Sequence, residues 1–203
     1  RIEALHDLEA LVALRANIHG VDAHTTRALA SVLGGAATPG ALARKAARVV
    51  WVLSGHPDRR VGNLLWDQRI VPALADAGAR APADAPGGDS SQHARALAAL
   101  VEAPAARKAA ASGFDPMPAL LKLTTAASAA AFKEDVEAAD TNAAETAAVA
   151  ASAAAGWLRS IPKARETFAP DVEMLAQFLA SPSTSIALAA AASAGCVARD
   201  RRA

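Results

Sequence analysis

Apolar residues near the start of the chain recur at intervals of three and four, the spacing of one buried face of an α-helix. The first such segment runs from Ile2 to Ile18, and Gly20 ends it. Asp22 is placed to cap the next helix, because its carboxylate can accept hydrogen bonds from the first free backbone N–H groups. We therefore predict two helices before the glycine pair at 34–35.

Prolines mark the beginnings of several later helices, because proline fits the first turn of a helix and disrupts its interior. Thr38-Pro39 is predicted to cap and open one helix, and Asp115-Pro116 another. A helix over residues 60–77 contains Pro72, which starts or kinks its final segment. The same criteria predict five further helices, over residues 93–101, 105–112, 142–161, 172–179 and 186–197.

Two stretches with few large apolar residues are predicted to be mobile loops, at residues 80–91 and 133–141. The first holds two prolines and adjacent glycines, a composition that costs too much conformational entropy to become ordered without partners. The second carries four carboxylates and few apolar side chains to bury. With these loops set aside, we expect residues 1–203 to form a single domain.

The composition supports helices over strands. Hydrophobic residues make up 53% of the chain but aromatic residues only 3%, and tyrosine is absent. Most of the apolar count is alanine, which has the highest intrinsic helix propensity, whereas sheets favour β-branched and aromatic residues. The sequence therefore predicts an all-α protein with closely packed helices.

A sequence pattern recurs along these helices. It consists of an alanine-rich helix, a short polar break with one or two basic residues, and an apolar cluster that in two copies contains a proline. The copies span residues 46–74, 94–121 and, more loosely, 153–175, with Pro72 and Pro118 at equivalent points. Small residues let neighbouring helices approach closely, so each unit depends on its neighbours for burial.

This sequence pattern resembles the armadillo repeat. In that repeat an alanine-rich helix with paired leucines is followed by a short break, and the next helix begins with an apolar-proline-apolar signature. The resemblance covers most of the chain and implies a right-handed α-solenoid of about four armadillo-like or HEAT-like repeats. The glycine usual before the proline signature is replaced by Arg69. A generic α-solenoid therefore stays an alternative.

The resemblance also bears on what the solenoid binds. In nuclear-import receptors of this family, a tryptophan and an asparagine one turn later clamp an extended peptide. Trp51 fits the first position, but Gly55 stands at the second, and the next copy is aligned with Arg95 and Ala99. Binding of nuclear-localisation signals by this ladder is therefore not expected.

Catalytic and metal-binding patterns are missing from the sequence. No two histidines have the i, i+4 spacing of a helical metal site, and no Gly-x-Ser-x-Gly motif occurs. Cys196 has no adjacent base, and the acidic stretch lacks the glycine and the spacing of a calcium loop. We predict no catalytic residue, metal ligand, cofactor or small-molecule substrate.

Charge and hydropathy restrict the partners and the location. Twenty-one basic and 20 acidic residues leave a formal charge of +1, which argues against nucleic acid as a partner. The longest apolar stretches are too short or too weakly apolar for membrane insertion. The single cysteine favours a reducing, intracellular compartment. The chain begins at Arg1 and not at methionine, so we expect that a native N-terminus or a targeting peptide can be missing from it.

Five residues are candidates for contact with a partner. Trp51 and Trp66 are chosen because large aromatic side chains dominate interface energetics, although core packing is the alternative for both. Trp66 lies among polar residues, which allows it to face outward. The others are basic, and solvated helix edges are the alternative explanation for them. They are Arg59, Arg60 and Arg95.

These features predict a non-catalytic protein–protein interaction scaffold or a structural subunit, whose partner is another protein or a multi-subunit complex. One alternative is an Hsp70 nucleotide-exchange cochaperone, because such cochaperones resemble armadillo domains of this size. A second is an organellar RNA-binding helical-repeat protein, which the near-neutral charge disfavours. A helical enzyme is the third.

Overall fold

A computed structural model describes residues 20–56, 58–67, 69–84, 91–131, 141–167 and 172–200. These residues form eleven α-helices and no strand, so the prediction of an all-α protein is confirmed. The helix predicted over residues 2–18 lies outside them. In chain order the helices are α1 (Ala23–Gly34), α2 (Gly40–Ser54), α3 (Arg59–Asp67), α4 (Ile70–Asp84), α5 (Ser91–Glu102), α6 (Pro104–Ala111), α7 (Met117–Ala131), α8 (Thr141–Ser160), α9 (Pro162–Thr167), α10 (Val172–Leu179) and α11 (Thr184–Asp200).

The predicted helix caps are confirmed at two places and wrong at one. Asp22 Oδ1 accepts hydrogen bonds from the backbone N–H groups of His24, at 2.9 Å, and Thr25, at 2.8 Å. Asp115 Oδ1 accepts from the backbone N–H of Met117 at 3.0 Å. At α2, however, Pro39 and not Thr38 occupies the cap position, and no side chain caps the helix.

The predicted helix over 60–77 is two helices, α3 and α4. Between them Arg69 adopts a φ of 56°, the left-handed region that residues with a Cβ atom seldom enter. This backbone conformation interrupts the helix and separates α3 from α4. Pro72 then stands in the first turn of α4, so it starts a helix and does not kink one.

The predicted loop over 80–91 is wrong at both ends, because α4 continues to Asp84 and Ser91 is already the first residue of α5. Arg80 holds this part of α4 in place, since its Nη2 donates to the carbonyl oxygen of Leu33 at 3.0 Å. Residues 85–90 lie outside the described part of the chain, as do 133–140 of the second predicted loop. Thr141, the last residue of that loop, begins α8.

The helices pack in a pattern that repeats every three elements. Three helices stack on one another in the order α2, α5, α8, and α11 follows on α8. In the same way α1 packs on α4 and α4 on α7, while α3 packs on α6. Most successive helices also contact each other, so the described helices from α1 to α8 pack mainly on their neighbours in the chain and on helices three elements away, and α11 continues this pattern on α8.

One large cluster of buried side chains extends from α1 to α9 and contains most of the buried leucine, valine and isoleucine. Two smaller clusters lie where α10 and α11 pack on the earlier helices. The first contains Phe178 and Ile186 among alanines, and the second consists of Ala151, Ala155 and Ala189. The core therefore contains fewer large apolar side chains toward α11.

Gly78 allows a close approach inside the larger cluster. A Cβ atom placed on Gly78 would lie 2.7 Å from Cδ1 of Leu123 on α7 and 3.0 Å from Cβ of His93 on α5. Both distances are shorter than normal carbon–carbon contact, and Leu123 and His93 are themselves buried. The meeting point of α4, α5 and α7 therefore requires a residue without a side chain.

Candidate protein-interaction face

The four helices of the longest stack, α2, α5, α8 and α11, bury the same pattern of positions. Each has buried residues at i, i+3, i+4 and i+7, which form one stripe along a helix. In α2 they are Ala46, Val49, Val50 and Leu53; in α5, His93, Ala96, Leu97 and Leu100; in α8, Ala150, Ala153, Ala154 and Trp157; in α11, Ile186, Ala189, Ala190 and Ser193. We use this shared pattern to align the four helices.

On each helix the position i+2 of this register is not buried. The four residues there are Arg48, Arg95, Ser152 and Leu188. Because α2, α5, α8 and α11 pack on one another in this order, we infer that these positions lie along one side of the stack; Trp51 lies one turn from Arg48 on α2. We refer to Arg48, Trp51, Arg95, Ser152 and Leu188 as the ladder face.

Trp51 is on the surface, with 39% of the residue exposed. Core packing, the alternative considered for it, is therefore wrong. The same side of α2 carries Arg44 and Lys45, which are half-buried, and Arg48, which is exposed. The interval of four residues between Arg44 and Arg48 places them one turn apart on the same side of α2.

The register corrects the alignment of Trp51 with Arg95. Leu97 and Leu100 are fully buried on α5, as Val50 and Leu53 are on α2. The residue between the two α5 positions that corresponds to Trp51 is Ala98. By the same register Glu102, and not Ala99, corresponds to Gly55, so neither residue of an aromatic–asparagine clamp is present on α5.

Arg95 contributes to the ladder face and also joins two helices. Its Nη2 donates to Oε1 of Glu145 in an ion pair between α5 and α8. The two side chains are 39% and 43% exposed. Solvent therefore weakens the attraction, but the carboxylate compensates positive charge near the middle of the ladder face.

Trp66 does not face outward, because it is only 7% exposed. Its ring packs edge-to-face on Phe114, with centroids 5.1 Å apart, and stacks on Trp157 at 6.4 Å. The indole Nε1 atoms of Trp66 and Trp157 are buried and have no hydrogen-bond partner among the described residues. The two tryptophans act as apolar bulk between the α3, α6 and α8 elements.

Arg59 and Arg60 lie at the start of α3, outside the stack that carries the ladder face. The Arg60 backbone N–H donates to Oδ1 of Asp58 at 2.8 Å, and its Nη2 donates to the carbonyl oxygen of Val21 at 3.4 Å. The Arg59 side chain lies outside the described part of the chain. Of the five predicted residues, the structure thus brings only Trp51 and Arg95 to one face.

A cleft of about 290 Å³ opens where α5 and α8 end. Among its lining residues are the carboxylate of Glu102, the guanidinium groups of Arg107 and Arg159, and the ring of Trp157. These charged groups can bind polar atoms of opposite sign. The lining contains no histidine, cysteine or lysine, and Glu102 and Ser160 are the residues in it whose side chains could take part in acid–base or nucleophilic chemistry. The cleft is continuous with the last exposed turns of α5 and α8.

Comparison of the chain with protein-family models, with curated proteins and with solved structures gives no match. Within the described ranges, no group of three or more histidine, cysteine, aspartate or glutamate side chains is arranged to hold a metal ion. No helix among the described residues has the length and apolar character needed to span a membrane.

Proposed function

We propose that this chain is an armadillo-like, right-handed α-solenoid that serves as a non-catalytic scaffold and binds another protein through the ladder face. The observation that carries the proposal is the repetition of three-helix units in which equivalent helices stack and bury the same register. Repeat proteins use the extended surfaces that such stacking creates for binding, and the described part of this stack exposes Arg48, Trp51, Ser152 and Leu188.

The armadillo assignment has support from the junctions between units. Pro72 and Pro118 both stand in the first turn of their helices, α4 and α7, and these two helices pack on each other. Arg69 occupies the place of the glycine that usually precedes the proline signature, and its φ of 56° is the conformation that glycine adopts most readily. The backbone at Arg69 thus has a conformation typical of glycine, although the residue is arginine.

The assignment of the ladder face as the binding surface has support from its exposed apolar side chains. Leu188 is 66% exposed and Trp51 39%, and they lie at opposite ends of a row that also presents two arginines. Tryptophan and arginine are enriched among the residues that dominate binding energy in protein interfaces. A row that combines these residue types is suited to a protein partner.

Quantitative affinity capture tests this proposal with three forms of the chain. The first is unchanged, the second carries Arg48→Glu and Trp51→Ala on the ladder face, and the third carries Lys108→Glu and Ala109→Ser on α6, outside the stack. We expect proteins that bind the first and third forms to be depleted at least about tenfold with the second, because hot-spot truncation and charge reversal both weaken binding. Equal capture by all three forms would refute the ladder face as the binding surface.

A further inference from the structure

The cleft at the ends of α5 and α8 is lined by two arginine side chains from different helices. Arg107 belongs to α6 and Arg159 to the last turn of α8. Neither guanidinium group makes an ion pair or a hydrogen bond with another described residue. Several other described arginines donate to carbonyl or carboxylate oxygens of the chain, namely Arg27, Arg60, Arg80, Arg95 and Arg165. The donors of Arg107 and Arg159 are therefore available to a ligand in the cleft.

A glycine in α8 leaves open space in the same cleft. Glycine inside a helix is less favourable than alanine, because its backbone loses more conformational freedom on folding. At Gly156 no packing contact requires it, since apart from its own helix backbone no atom lies within 4 Å of a Cβ atom placed there. Because Gly156 lines the cleft, a long side chain at this position would fill it. The glycine thus keeps room for a ligand.

From these two observations we propose that the cleft binds a phosphomonoester group, whose oxygens accept hydrogen bonds from Arg107 and Arg159. The inference goes beyond the proposed function and does not depend on it. A phosphomonoester has three acceptor oxygens and a charge of about −1.5 to −2 at pH 7, so it can accept from two guanidinium groups at once. A carboxylate has two oxygens and one charge, and a single arginine is enough to satisfy it.

Glu102 restricts what stands next to the phosphate. Its side chain is exposed, lines the same cleft and has no ion-pair partner among the described residues. A carboxylate only accepts hydrogen bonds, so it suits a hydroxyl or amide N–H group of the ligand and disfavours a second anionic group. The cleft volume of about 290 Å³ is close to the lower end, about 300 Å³, of typical small-molecule sites. The ligand is therefore one phosphorylated group with a hydrogen-bond donor beside it.

This chemistry occurs both in a phosphorylated serine of a protein, where the donor is a backbone N–H, and in a small phosphorylated polyol. Four probes separate the sources: a short phosphoserine peptide, the same peptide with glutamate instead, glycerol phosphate, and glycerol. Nuclear magnetic resonance of the indole N–H groups locates binding, because Trp157 lines the cleft whereas Trp51 lies on α2. We expect a phosphorylated probe to shift the Trp157 signal saturably and to leave Trp51 unchanged. Its unphosphorylated counterpart should bind at least about tenfold more weakly.

Charge variants test the two arginines. Arg107→Gln and Arg159→Gln should each weaken binding of the phosphorylated probe at least about fivefold, because each removes a charged donor. Lys108→Gln is the matched control. It removes the same charge at the next exposed position of α6, outside the cleft lining, and should change the affinity less than about twofold.

Substitutions at Gly156 test the space in the cleft. Gly156→Leu should weaken binding at least about tenfold, because its side chain occupies the volume that the ligand needs. Gly156→Ala adds one methyl group and should change the affinity less than about threefold. Circular dichroism confirms that both variants keep their helices, so a loss of binding is not a loss of fold.

Saturable binding of either phosphorylated probe supports the inference, and the probe that binds more tightly identifies the source as a protein or a small molecule. Three results would overturn it. They are no shift of the Trp157 signal with either phosphorylated probe up to about 10 mM, equal affinity for the phosphoserine and glutamate peptides, or an equal effect of Arg107→Gln and Lys108→Gln. The arginine variants keep the last test decisive even if Gly156→Leu does not fold.

Discussion

The contact between α2 and α5 and the contact between α8 and α11 use the same helix register with different side chains. The first buries valine and leucine, among them Val50, Leu53 and Leu97, whereas the second is formed largely by Ala151, Ala155 and Ala189. Alanine allows close helix approach but removes much less apolar surface from water than leucine does. We therefore expect the α8–α11 contact to be less stable than the α2–α5 contact, although both use the same helix register.

In repeat arrays the free energy of unfolding is close to a sum of unit and interface contributions. A unit held by a weak interface can therefore open while the others stay folded. We expect α11 to open at a lower free energy than α2 and α5, with α10, which packs on it, opening together with it.

The largest expected effect comes from shortening a side chain in the leucine-rich contact. Leu100→Ala should lower the free energy of unfolding of the whole chain by about 2–5 kcal/mol, because Leu100 is fully buried and a cavity would remain. Urea denaturation followed by circular dichroism measures the loss. Leu188→Ala is the matched control: the same atoms are removed at a position that is 66% exposed, and the change should stay within about 0.5 kcal/mol.

Ile186→Ala makes a similar truncation in the alanine-rich contact, where Ile186 is also fully buried. We expect a loss of about 2–4 kcal/mol in the opening free energy of α11, as for other buried isoleucines. If opening of α5 includes opening of α11, the opening free energy of α5 falls by the same amount but stays higher than that of α11. Native-state hydrogen exchange resolves the two helices. Equal opening free energies of α5 and α11 in the unchanged chain and in the variant would show that the chain unfolds as one unit, and the two contacts would then not differ in stability.

Gly78→Ala tests how the leucine-rich region is packed, with a smaller expected effect. The new methyl group would clash with Leu123 and with the Cβ atom of His93, so we expect a loss of about 1–3 kcal/mol. Gly156→Ala on α8 is the control. No atom lies within 4 Å of a Cβ atom there, and the gain in helix propensity should stabilise the chain by about 0.5–1 kcal/mol. Thermal unfolding of both variants measures the contrast, and stabilisation by both substitutions would contradict the close approach at Gly78.

Features that depend on a few neighbouring residues could be predicted from the sequence. Helical spacing and the caps at Asp22 and Asp115 are local, and the five helices predicted from residue 93 onward are present within about three residues at each end. The short helix α9 is not among the predicted helices, because its first residue, Pro162, directly follows the predicted end of α8 and proline ends helices as readily as it starts them. The left-handed backbone conformation of Arg69 cannot be predicted from the sequence either, because arginine does not favour that conformation.

The ladder face could be predicted only in part, because alanine occupies both buried and exposed positions. Ala96 is fully buried and Ala99 is not, so an alanine-rich helix does not show from its sequence which side faces the core. That ambiguity is the reason for the wrong alignment of Arg95 with Trp51. Leu188 was missed for the same reason, since an apolar residue in an apolar helix indicates burial until the stacking partners are known.

The smallest predicted effect concerns the N-terminal cap of α1, a helix that packs in the leucine-rich part of the core. The pKa of Asp22 is lowered from its ordinary value of 3.8, first by the hydrogen bond from the Thr25 backbone N–H and then by that from the Thr25 hydroxyl. A carboxylate whose pKa is lower in the folded than in the unfolded state stabilises the fold above the unfolded value, and the contribution disappears as pH falls through the folded value. We therefore expect α1 to lose hydrogen-exchange protection below about pH 4.

Asp22→Asn is the control for this effect, because asparagine caps a helix about as well as aspartate but does not titrate between pH 2 and 5. Other carboxylates titrate in the same range, so the informative quantity is the difference between the two forms of the chain in the pH dependence of α1 protection. We expect that difference to appear in α1 and to be absent in α11, because the lost hydrogen bonds belong to the first turn of α1 alone. The same pH dependence in both forms would mean that the carboxylate charge contributes nothing to the cap. A difference that extended to α11 would instead mean that the two ends of the chain are coupled, and the leucine-rich and alanine-rich contacts would then not be separable.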